Sequence, residues 1–99
     1  QRLEVGMEKA IALLEVQAMS AAIEGLDAML KAADVRLIHV EKRLGGRLVT
    51  VVVDGTVSAV TAAAEAGREA AARVGNVKLC EVIARPHPGI TKFLYTDNV

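Results

Sequence analysis

A chain of 99 residues is the size of one small domain, and its formal net charge of zero lacks the basic excess that nucleic acid or an anionic membrane demands of a partner. More than half of the residues are apolar (53%), yet Phe93 and Tyr95 are the only aromatics, so a core must be built from Ala, Val, Leu and Ile. The single cysteine, Cys80, can form no intrachain disulfide, which fits a reducing cytosol, and no uninterrupted apolar run reaches the length of a membrane span.

Residues 1–9 mix Arg2, Glu4, Glu8 and Lys9 with apolar positions and read as an N-terminal extension without signal-peptide character; residues 10–99 read as one domain. Ala10 to Val16 is a short apolar run that suits a buried strand. Glu8 to Leu30 would also fit one long helix, because Ala and Leu favour helices; the preferred reading is strand then helix, broken near Gln17 to Ser20, with Ser20 as the cap. From Met19 the spacing turns helical. Ala22, Ile23, Leu26, Met29, Leu30 and Ala33 form the expected buried stripe, Asp27 and Lys31 form an i,i+4 ion pair, and the helix ends near Asp34.

Val35 to Lys42 reads as a strand, Leu44-Gly45-Gly46 as a turn, and Leu48 to Val53, with its β-branched run, as the clearest strand in the chain. Asp54-Gly55 is expected to end that strand and Thr56 to cap an Ala-rich helix from Val57 to Val74, which Gly75-Asn76 stops. Val57, Val60, Ala64, Gly67, Ala71 and Val74 fall on one face of this helix. Val77 to Ala84 is a final strand, Pro86 and Pro88 prevent further regular pairing, and a short C-terminal helical tail burying Phe93 is expected. The resulting order βαββαβ predicts an α+β, ferredoxin-like fold, an antiparallel sheet with both helices on one face.

That fold carries many activities, so function must come from a site. His39 and His87 lie on different segments, and no Cys or His pair has metal-ligand spacing, so neither a metal nor another cofactor is expected. His39 reads as an ordinary strand residue and Cys80, alternating with Val82, as a buried structural thiol. No Ser/His/Asp or Cys/His set is present, which disfavours an enzyme. No predicted strand carries an aromatic residue on which a base could stack, which disfavours RNA binding. The turn Leu44-Gly45-Gly46 between Arg43 and Arg47 reads as a tight hairpin with solvated arginines in a monomer. In a ring of identical copies it becomes a candidate anion site, since charge repeats at the axis.

Four segments then coincide at one spacing: Ala21-Ala22-Ile23-Glu24-Gly25-Leu26-Asp27-Ala28-Met29-Leu30-Lys31-Ala32-Ala33; Val40-Glu41-Lys42 followed by a glycine loop and Leu48-Val49-Thr50-Val51-Val52-Val53; Asp54-Gly55-Thr56-Val57-Ser58-Ala59-Val60 with Ala66-Gly67; and Ile83-Ala84-Arg85-Pro86-His87. Together they resemble the bacterial microcompartment shell proteins over residues 10–94, in the unpermuted strand order. The resemblance implies a non-enzymatic tile. It would form a cyclic homo-hexamer, assemble with other shell proteins around encapsulated enzymes in the bacterial cytoplasm, and pass small metabolites through a central pore. By position, Arg43, Leu44, Gly45, Gly46 and Arg47 would line the pore, and Lys31 and Arg85 would join neighbouring hexamers.

The chain departs from the family pattern at three places. Asp34 stands where an Asn is usual and is expected to hold the Lys31 amine within the subunit; Ala84 replaces a common Pro; and the pore loop is one residue longer, gains two arginines and has no counterpart of the usual serine. The repeated arginines predict a preference for anions. A second reading, from the fold alone, is a regulatory domain that binds an amino acid or a nucleotide at a dimer interface.

Overall fold

The density of β-branched residues decides where the sheet lies, and alanine decides how closely the helices approach it. The structure, a computed structural model, describes residues 9–84. Its elements are β1 (Lys9–Gln17), α1 (Met19–Ala32), β2 (Arg36–Arg43), β3 (Leu48–Thr56), α2 (Val57–Ala72) and β4 (Val77–Ala84). The strands form one four-stranded sheet in the order β2-β3-β1-β4, and each neighbouring pair is antiparallel. This is the predicted ferredoxin-like arrangement. The helical tail, Phe93, Arg85 and the body of the N-terminal extension lie outside the described residues.

Period-two alternation sorts the sheet into two faces. Ala10, Ala12, Leu14 and Val16 of β1 and Val49, Val51 and Val53 of β3 share a core with Ala21, Ala22 and Met29 of α1 and Val60, Ala63, Ala64 and Ala71 of α2. Ile11 and Val52 form a second, smaller cluster on the opposite face, with Leu13, Ile38 and Ile83 against it. The central position of β1, between β3 and β4, explains why its run is apolar on both faces.

The two helices meet at Gly25 and Gly67. A Cβ on Gly25 would stand 2.6 Å from Leu14 Cδ2 and 3.2 Å from the Gly67 carbonyl oxygen; one on Gly67 would stand 2.5 Å from Met29 Cγ and 3.2 Å from the Gly25 oxygen. This approach turns the buried side of α1 toward Ala21, Ala22, Gly25 and Met29. Ile23 and Leu30, expected in the buried stripe, are exposed at 58% and 45%. The stripe follows from the spacing of apolar residues, whereas the contact with α2 is made by the smallest of them and by Gly25. On α2 the expected Val60, Ala64, Gly67 and Ala71 are buried, while Val74 beyond the helix end is exposed.

Three boundaries differ from expectation for local reasons. The residue before α1 is Ala18, not Ser20, and it makes no side-chain cap; its φ of 80° and ψ of 148° lie in a region suited to glycine. β3 continues through Asp54 and Gly55 to Thr56, because Asp54 pairs in register with Ile11 on one side and Arg36 on the other. β2 begins at Arg36, after the chain has turned at Ala33 in extended conformation. The Thr56 cap is as expected, with its hydroxyl oxygen accepting from Ala59 N–H at 3.2 Å.

Replacing Ala18 by Gly should stabilise the fold by about 1 kcal/mol, the strain relieved less the extra entropy of glycine. A higher thermal midpoint checks this, and an unchanged or lower one would contradict it. Gly67→Ala should destabilise by about 1–3 kcal/mol, as an overpacked helix contact does, read from the same melting curves.

Candidate functional site

The hairpin between β2 and β3 carries the most specialised backbone in the described chain. A single 3-10 turn spans Leu44–Gly46, and Leu44, Gly45 and Gly46 take φ values of 55°, 67° and 91°. Three successive left-handed residues reverse the chain within the reach of the Arg43–Leu48 pair. Two of them are glycines, which adopt this region freely; Leu44 does so at a steric cost. The Leu44 carbonyl repays part of that cost by accepting twice from Arg47, from its backbone N–H at 3.3 Å and its Nε–H at 3.1 Å. The Ala18 N–H donates to the Arg47 carbonyl at 3.1 Å and ties the loop to the start of α1.

The two arginines flanking this turn do not present two uncompensated charges. Arg43 lies 3.7 Å from a Glu41 carboxylate oxygen and 3.9 Å from one of Glu15. Glu15, Glu41 and Arg43 belong to β1 and β2 on the face away from the helices, so the sheet draws Arg43 back toward two carboxylates. Arg47 has no ion pair among the described residues but folds its Nε onto its own turn. Within one subunit the formal charges of Glu15, Glu41, Arg43 and Arg47 cancel, although only Arg43 is paired with a carboxylate. Alternation along the strand places Glu41 and Arg43 on one side; Glu15, on β1 two strands over in the sheet and 28 residues from Arg43 in sequence, carries no local signal of this pairing.

At the far end of α1, Lys31 is held by Asp27, with Nζ 3.0 Å from Oδ2, and its side chain remains 76% exposed. Asp34, expected to hold this amine, is exposed and does not: residues four apart share a helix face, whereas the chain leaves the helix after Ala32 and carries Asp34 away. Arg85 lies outside the described residues, so only Lys31 and Asp34 of the expected edge set are placed.

The remaining reactive side chains do not converge. Cys80, expected to be buried, is half-buried; it faces the helix layer and donates weakly to the Ala64 carbonyl at 3.6 Å. Burial pushes its thiol pKa up from the ordinary value, and the nearby Arg68 only partly opposes this. His39 is 8% exposed, and its Nδ1 and Nε2 have no hydrogen-bond partner, although Nε2 lies 3.5 Å from Glu41. His39 is a strand residue, as expected, and is buried although β2 is an edge strand. Arg36 and Asp54 pair at 3.0 Å across the β2–β3 ladder. Among the described residues no three His, Cys, Asp or Glu side chains gather as a metal set, and no helix is long and apolar enough to cross a membrane.

A family model described as "BMC domain" matches residues 10–86, the whole sheet-and-helix unit. The chain is 48% identical over 87 residues to the bacterial microcompartment shell protein PduA of Citrobacter freundii, covering 88% of this chain and 92% of that one. It is 44% identical to the carboxysome shell protein CcmK2 of Synechocystis sp., covering 94% of each. A solved microcompartment protein from Desulfitobacterium hafniense superposes with a TM-score of 0.77 at 32% identity over 88% of this chain, which spans 47% of that longer protein.

The Cys80 thiol should react with a maleimide at neutral pH at roughly one-tenth or less of its rate in the unfolded chain, because a raised pKa leaves little thiolate and burial restricts access. Equal rates in the folded and urea-unfolded protein would contradict this.

Proposed function

The chain belongs to the BMC domain family, whose matched relatives are microcompartment and carboxysome shell proteins, and on that premise we propose that it is a non-enzymatic tile that closes into a hexamer with a central pore for small metabolites. The observation that carries the reading is the match to a shell protein along 88% of this chain and 92% of that relative, with the complete antiparallel sheet and both helices present. The tile would work in the bacterial cytoplasm with other shell proteins around encapsulated enzymes.

In this reading Arg43, Leu44, Gly45, Gly46 and Arg47 meet their symmetry copies at the ring axis. Support comes from the loop's place and build. It projects at one end of the β2–β3 hairpin, its tip is exposed, and glycines at its centre let backbones approach closely. Lys31, Asp34 and Arg85 lie at the edge where rings meet. Lys31 is 76% exposed, with its Nζ 3.0 Å from the Asp27 carboxylate. A closed ring buries apolar side chains between copies, which suits the exposed Leu37 and Val40 of β2 and Leu79 and Val82 of β4, the two outer strands of the sheet.

The alternative, a dimeric regulatory domain, has no support from the matched relatives. Mass in solution separates the two: six copies are expected, and a dimer with no larger ring would overturn the tile. Lys31→Ala should leave the ring intact and weaken its assembly into sheets. Loss of a charged hydrogen bond costs about 1.5–3 kcal/mol, so the concentration needed for sheets should rise roughly tenfold or more. Electron microscopy across a concentration series reads this, and sheets forming at the wild-type concentration would remove Lys31 from the edge.

A further inference from the structure

We propose that Leu44 forms an apolar constriction at the ring axis, making the pore more permeable to small uncharged molecules than to hydrated ions. This rests on reading the loop as the pore loop. Leu44 is 64% exposed, the most exposed large apolar side chain among the described residues. It occupies the tip of the hairpin in a left-handed conformation, φ 55°, which a branched side chain adopts only when its surroundings enforce it. The enforcement is visible: both donors of Arg47 converge on the Leu44 carbonyl, at 3.3 and 3.1 Å, and fix the peptide from which the side chain departs.

Both charged neighbours are engaged within the subunit. Arg43 is held toward Glu15 and Glu41 on the sheet, and Arg47 wraps its own turn. Gly45 and Gly46 add no side chain, and a Cβ on either would meet nothing within 4 Å, so the space beside Leu44 is open within one subunit. Symmetry copies of the loop would bring one leucine each to the axis. A ring of leucines at a narrow point offers a passing ion no group to replace its hydration shell, and such constrictions exclude ions by dewetting. An uncharged molecule loses less hydration on passing and meets a smaller barrier. The selective group is then the leucine between the arginines, and the arginines set its position.

The test uses assembled shells in which this chain is the main tile and which enclose a dye-labelled protein. Stopped-flow mixing with iodide or with acrylamide, an anionic and an uncharged quencher, reads the rate of entry of each. Leu44→Ser should raise iodide entry roughly tenfold while changing acrylamide entry less than about twofold; Leu44→Ala should act in the same direction if the serine variant assembles poorly. Leu44→Trp should slow both quenchers. If Ser and Ala leave the ratio of iodide to acrylamide entry at its wild-type value while Trp slows both, the loop is the pore and the apolar constriction is wrong. If no Leu44 variant changes the entry of either quencher, the loop is not the pore and both readings fall.

Discussion

The contact of Gly25 with Gly67 sets the distance between the two helices, and most of the remaining structure follows from that distance. With no side chain on either residue, each backbone carbonyl sits about where the other's Cβ would press. Two glycines in helix interiors each cost helical stability, of order 0.5–1 kcal/mol, and the close packing they permit is what offsets it. The helices then cover one face of the sheet with alanines and valines, and Leu14 and Met29 are the large fully buried side chains that fill the space beside the crossing. A layer this thin suits a flat tile. It also leaves the larger apolar residues of α1, Ile23 and Leu30, on the outside.

One end of the molecule is knitted together by backbone groups from three connections. Ala18 N–H reaches the Arg47 carbonyl, and Gln17 N–H reaches the Asn76 carbonyl at 2.8 Å. Gly75 passes so near Gln17 that a Cβ there would stand 2.8 Å from the Gln17 oxygen. The turn after β1, the hairpin loop and the turn after α2 are thus a single unit, and the strained dihedrals of Ala18 and Leu44 both occur in it. Such concentration of strain is common where a backbone must hold a functional group in place. A loop fixed in this way would keep its shape when copies converge on an axis, which a freely moving hairpin would not.

Electrostatics on the open face of the sheet work by cancellation. Arg36 meets Asp54, and Arg43 meets Glu15 and Glu41. Each exposed pair contributes little to stability, but pairing changes what the surface presents. Of the two guanidinium groups beside the loop, that of Arg43 is answered by carboxylates, whereas that of Arg47 bonds the Leu44 carbonyl and has no carboxylate partner among the described residues.

How much of this was legible before the fold was known depends on the range of the interaction. Element order, the sheet with both helices on one side, the Thr56 cap and the Asp27–Lys31 pair all follow from periodicity or spacing within a few residues, and the sequence by itself determined them. So did membership of the shell family, because its segments keep their identity and spacing along the chain. Ser20 as a cap failed because β1 runs on to Gln17 and the tight turn falls at Ala18. The buried stripe of α1 held only in part, because the partner helix, meeting α1 at Gly25, chose the contact face and left Ile23 and Leu30 outside. The ion pair between Arg43 and Glu15, the burial of His39 and the extension of β3 through Asp54 were decided by tertiary structure alone. Each depends on which strands become neighbours and in what register, and residues that are 28 positions apart, as Glu15 and Arg43 are, have no local pattern through which that proximity can be read.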